Sequence, residues 1–172
     1  ILPHLALVRL ALEEGDVERA SELLQSTPAV ETARYEAEVA LLAAETRRAE
    51  GGAVLELAER AEALALQADD EELRIEALCS LARAQLEAGQ LVNAQRSLLD
   101  ARRLEEALSR RVPDEARDAW ERRPNRERLE ATEELSTRSR LGTRRVSTPP
   151  PSRRRTAEHD RRYPEIVGSS PR

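Results

Sequence analysis

The sequence predicts an all-α protein: about three helical hairpins stacked side by side, closed by a short capping helix and followed by a basic tail. Three observations carry that prediction. In the stretch from Leu78 to Ala101, Leu78, Leu81, Ala82 and Gln85 recur at helical spacing, Gly89 breaks the run, and Leu91, Ala94, Leu98 and Ala101 restart it, which spells two helices folded back through a glycine turn. The same pattern recurs upstream at a fixed period, the mark of a repeat array. The composition is 35% charged and 2% aromatic, rich in Ala and Leu, with every basic side chain an Arg apart from two histidines. Such a chain makes close-packed helices with charged outer faces.

The first hairpin lies in residues 5–24. Leu7, Val8 and Ala11 mark its first helix, Gly15 its turn, and Val17, Ala20 and Leu24 its second helix. The copies align in four columns spaced 37 residues apart: Gly15, Gly52 and Gly89; Val17, Val54 and Leu91; Ala20, Leu57 and Ala94; Leu24, Ala61 and Leu98. The first helix of the middle copy fits better in register with Gly51 than with Gly52. Thr27-Pro28 ends the first hairpin, because proline lacks an amide hydrogen and restricts the residue before it. Asp69, with Glu72 three residues on, predicts the start of the helix that runs through Cys79. Ala94 is expected in a tight helix–helix contact. The array spans 1–111, where Val112-Pro113 stops the last helix.

Residues 112–135 read as capping helices, with Ala116, Ala119 and Trp120 on one face covering the open end of the stack. From Ser136 the composition turns to Ser, Thr, Pro and Arg, with ten Arg against three acids, whereas residues 1–135 hold 18 Arg against 30 acids. The segment 136–163 is therefore expected to be a disordered basic linker.

The repeat unit resembles the tetratricopeptide repeat family, on Ala82, Gly89, Ala94 and Ala101 in the third copy and Gly15 and Ala20 in the first. The period here is 37, against the family's usual 34. The resemblance implies a protein-interaction fold in which first-helix positions line a groove. Carried across by the glycine register, those positions are Arg9 and Glu13 in the first repeat and Arg83 and Glu87 in the third. Each like pair is 74 residues apart. The implied ligand is an extended or helical peptide carrying both charges.

Catalytic and cofactor chemistry is not expected from this segment. His4 and His159 are far apart, Cys79 is the single cysteine, no glycine-rich phosphate loop occurs and there is no Lys for a nucleotide-binding loop. Metal binding is not expected either. The acids Glu13-Glu14 and Glu71-Glu72 read as solvated helix faces, and Cys79 as a small apolar filler. No apolar run of membrane-spanning length occurs. These features read as a cytoplasmic protein, and Ile1 in place of an initiator Met reads as the start of a fragment.

The last residues are more specific. Ile166-Val167-Gly168-Ser169-Ser170-Pro171-Arg172 resembles the entry to the ATPase domain of sigma-54-dependent transcription activators, which makes 164–172 the start of a truncated ATPase domain. Pro113, Arg117, Trp120, Arg123 and Pro124 resemble a segment that closes repeat regions in large bacterial regulators. The resemblance implies a sensory or interaction region that regulates a downstream ATPase, with ATP and Mg bound in the parent protein, its groove partner being that ATPase domain or another protein. Two other readings stand beside it: a stand-alone scaffold or adaptor, and nonspecific nucleic-acid contact through the Arg-rich tail. Arg144-Arg145-Val146-Ser147 also resembles a basophilic kinase site.

Overall fold

The computed structural model describes residues 2–29 and 31–146. The chain is all-α: the described residues form eight α-helices, and no strand occurs among them. The helices are α1 (Leu2–Glu13), α2 (Val17–Gln25), α3 (Ala33–Ala49), α4 (Leu55–Gln67), α5 (Glu71–Glu87), α6 (Leu91–Ser109), α7 (Arg117–Glu121) and α8 (Pro124–Val146). The hairpins α1–α2, α3–α4 and α5–α6 stack in order, the first helix of each packing on the hairpin before it.

Each hairpin turn is built by one backbone device. Gly15, Gly51 and Gly89 sit at φ of 74 to 76°, a conformation that costs a residue with a Cβ but not glycine. It lets the next amide reach back to a helix carbonyl: Asp16 to Ala11 at 2.8 Å, Gly52 to Arg47 at 2.9 Å and Gln90 to Gln85 at 2.7 Å. The middle turn glycine is therefore Gly51, and Gly52 stands where Asp16 and Gln90 stand. The four columns at a period of 37 are corrected accordingly. The middle turn carries two extra residues before its second helix, so Ala58, rather than Leu57, is the fully buried counterpart of Ala20 and Ala94.

A second boundary is displaced by one residue. Asp69 has φ 53° and takes the role at the end of α4 that glycine plays elsewhere, a role a short polar side chain tolerates. Asp70 is the cap of α5, accepting from the Leu73 amide at 3.0 Å. Asp16 and Thr32 cap α2 and α3 in the same way.

Small residues carry the packing. Ala58, Ala61 and Ala65 line the buried side of α4, and Ala94 and Ala101 that of α6. Helix backbones approach closely over alanine, so a core almost without aromatics is still filled. Gln85, on the buried face of α5, accepts from the Ser97 hydroxyl at 2.9 Å, which satisfies a polar side chain that would otherwise be costly to bury.

The end of the stack departs from expectation. The cover is α8, which packs on both α5 and α6 as the first helix of a fourth hairpin would. It buries Leu129, Thr132 and Ser136. Ala116 and Ala119, expected to cover the end, are exposed. Their segment is held through Arg123, whose guanidinium stacks on Trp120 and binds Glu105 at 2.9 Å and Glu72 at 2.9 Å. Residues 136–146, expected to be linker, are nearly the last half of α8. There Ser136 faces the core and Arg138 pairs with Glu134 one turn back at 3.3 Å. With its amide oxygen turned towards α8, Gln95 accepts from Arg140 Nε at 2.7 Å. The remaining linker positions 147–163, Ser147 of the kinase-like motif and the 164–172 segment lie outside the described residues.

Candidate functional groove

The first helices of the hairpins share one side of the stack, and α8 joins them as the fourth. α1 and α8 face each other across α3 and α5, and a groove of about 290 Å³ lies between them. Leu41 and Leu42 of α3 and Cys79 of α5 lie at its base, Leu12 on one wall, and Ala131 and Leu135 on the other. Leu135 is exposed, although leucine favours burial.

The groove brings together Arg9, Glu13 and Arg83, three of the four residues chosen from the sequence. Glu87 stands outside its lining and supports Arg83 at 3.3 Å. Two of these side chains are already engaged across helices. Arg9 Nη1 lies 2.8 Å from Glu76 Oε1, and Arg128 of α8 binds that same carboxylate oxygen. Glu76 thus ties the first helix of the stack to the last. Arg48, nearly buried, donates to Glu87 at 3.0 Å and to the Ser80 carbonyl at 3.4 Å. Its Nη1 lies 2.8 Å from Glu45 without hydrogen-bond alignment. Glu13 is exposed and has no ion-pair partner among the described residues.

Two guanidiniums on one carboxylate leave an unbalanced positive charge where the two walls meet on Glu76. Burial first, and then the Arg9 charge, hold Arg128 below the ordinary arginine range, with Glu45 and Glu13 opposing. The groove therefore offers positive charge where Arg9 of one wall and Arg128 of the other meet on Glu76, an exposed carboxylate at Glu13, and apolar surface at Leu12, Ala131 and Leu135.

Glu76, Arg128, Leu135 and Glu45 escaped the sequence reading. Arg128 and Leu135 could have been found from Leu129, Thr132 and Ser136, which keep the i, i+3, i+7 spacing of a buried helix face with hydroxyls in place of leucines. Arg9 is also a structural partner of Glu76, so reversing its charge disturbs stability together with any binding.

Cys79 is buried at the groove base, and burial, aided by Glu133 and Glu105, pushes its thiol up to about 12. It is thus a protonated filler rather than a nucleophile at neutral pH. Among the described residues no cluster of three His, Cys, Asp or Glu side chains could hold a metal ion, and no helix is long and apolar enough to cross a membrane. No known protein family matches the chain, and no curated protein or solved structure matches it.

Proposed function

We propose that this chain is a tetratricopeptide-like interaction region that captures a peptide segment in the α1–α8 groove and thereby regulates a downstream sigma-54-type ATPase in the cytoplasm. The observation that supports this reading is the groove itself, with the Arg9–Arg128 pair, a carboxylate at Glu13 without an ion-pair partner among the described residues, and half-buried Leu12 facing exposed Leu135. An amphipathic segment bearing charges of both signs meets all three features. Its acid is held by charge-assisted hydrogen bonds from Arg83 or from the Arg9–Arg128 pair, its base by Glu13, and its apolar side chain rests between the leucines. The resemblance of residues 166–172 to an ATPase entry points to the ATPase domain of a sigma-54 activator as the source of that segment.

The test uses Glu13→Arg combined with Arg83→Glu. Both side chains are exposed, and Glu87 retains Arg48 when Arg83 is changed, so folding is preserved. Titration of a sigma-54 activator ATPase domain into the chain, followed by calorimetry, is expected to show binding that weakens at least about tenfold in the double variant, one decade being 1.4 kcal/mol. Equal affinity for both proteins, with unchanged circular dichroism, sinks the groove as the site.

A further inference from the structure

The two ends of the stack are chemically different. Each first helix meets the preceding hairpin through a stripe at i, i+3, i+4 and i+7. In α3 the stripe is Val39, Leu42, Ala43 and Thr46, with Leu42 packed into the cluster that holds Leu5, Val8 and Ala20. In α5 it is Ala77, Ser80, Leu81 and Ala84, with Leu81 and Ala84 packed on Val54 and Ala58 of the hairpin before. In α8 it is Leu129, Thr132, Glu133 and Ser136, of which Leu129 packs among Ile75, Leu78 and Leu98.

Counting back from the turn glycines Gly89 and Gly51 to Gly15, the same stripe in α1 is Pro3, Ala6, Leu7 and Leu10. All four are exposed. Leu7 and Leu10 are 43% and 46% exposed, whereas their register mates Leu81 and Ala84 are 9% and 2% exposed. The outer side of α8, by contrast, carries Glu127, Glu130, Glu134 and Arg138, the charged finish that keeps a repeat array soluble.

We propose that this stripe of α1 is a docking surface for a further helical hairpin that offers small apolar residues, as α4 offers Val54 and Ala58 to α5. The partner's kind follows from continuity: the stripe repeats, position by position, an interface that this chain makes three times with a hairpin of that type. A charged partner is disfavoured, because Pro3, Ala6, Leu7 and Leu10 give it nothing to pair with. The surface is separate from the groove and does not depend on the peptide-capture reading.

The experiment supplies such a hairpin in register. A second copy of residues 33–74, which contains α3 and α4, is fused directly ahead of Ile1, so that Ile1 follows Arg74 as Ile75 does in the chain. The fused protein is expected to melt in one transition at a higher midpoint than the parent, with α1 amides exchanging at least about tenfold more slowly. Leu7→Glu with Leu10→Glu should remove both gains in the fusion while leaving the melting of the unfused chain unchanged. An unaltered α1 exchange rate, or a separate early transition for the added hairpin, overturns the proposal. Light scattering on the unfused chain supplies the other arm. A dimer that the same two substitutions dissociate assigns the stripe to a second copy instead, and also overturns it.

Discussion

Replacing Glu76 by Gln isolates the link between the first and last helices of the stack. The change keeps volume and one acceptor oxygen but removes the charge that Arg9 and Arg128 share. Breaking a fully buried pair costs about 3–5 kcal/mol, and an exposed one contributes about 0.2–1 kcal/mol. Here Glu76 is 13% exposed, Arg9 33% and Arg128 45%, so the screening that weakens surface pairs acts on the two cations but little on the acid. The expected loss lies between those limits, at about 1–2 kcal/mol. For a chain of this length that lowers the melting midpoint by roughly 2–8 °C. Urea titration measures the loss, and repeating it in 1 M salt should shrink the difference, because the partly exposed cations are screened. Glu130→Gln, which removes an exposed pair with Arg126 on the same helix, is the control and should stay within about 0.5 kcal/mol. A loss for Glu76→Gln no larger than the control's, with α8 amide exchange unchanged, refutes the idea that this carboxylate holds the ends of the stack together.

Cys79 gives a pH signature of known sign. Below pH 9 the thiol is protonated in both folded and unfolded chains and contributes nothing; between its ordinary value of 9.0 and about 12 only the unfolded chain releases the proton. Stability should therefore fall by about 1.4 kcal/mol per pH unit across that window, and urea midpoints for Cys79→Ala from pH 8 to 10.5 should decline less steeply than those of the parent. Gly51→Ala forces a Cβ into the left-handed region and should cost about 1–2 kcal/mol. Gly52→Ala meets only the flexible end of Arg47, whose exposed pair with Glu50 can open, so its cost should be under about 0.5 kcal/mol; thermal melts that rank the two glycines the other way refute the placement of the turn.

The hairpins were legible because alanine, leucine and glycine recur where helix faces and turns need them. What was not legible turned on residues that serve two physical purposes. The second helix of the middle copy aligned with Gly52 and the first with Gly51, and the reach of the Gly52 amide to the Arg47 carbonyl decides for Gly51. Asp69 and Asp70 both suit a helix boundary, one by tolerating positive φ and the other by capping. In α8 the buried stripe is written with Thr132 and Ser136, whose hydroxyls read as polar; Thr132 donates to the Arg128 carbonyl of its own helix, so the buried hydroxyl is satisfied and its methyl packs. The groove was half legible. Arg9, Glu13 and Arg83 followed from register, but Glu76 and Arg128 meet because α8 docks directly on α5, a packing that the hydroxyls of its buried stripe concealed in the sequence.

The chain holds one tryptophan, and Trp120 sits at the junction where Arg123 joins α5 to α6 at the entry to α8. The guanidinium lies 2.9 Å from the ring centroid, and the buried indole nitrogen has no hydrogen-bond partner. Its fluorescence therefore reports on one joint rather than on the whole chain. Separation of that joint before the hairpins melt moves the emission curve ahead of the far-ultraviolet dichroism, whereas coincident curves mark a single cooperative unit. An intrinsic optical sensor of α8 docking is thus built in, and it needs no label.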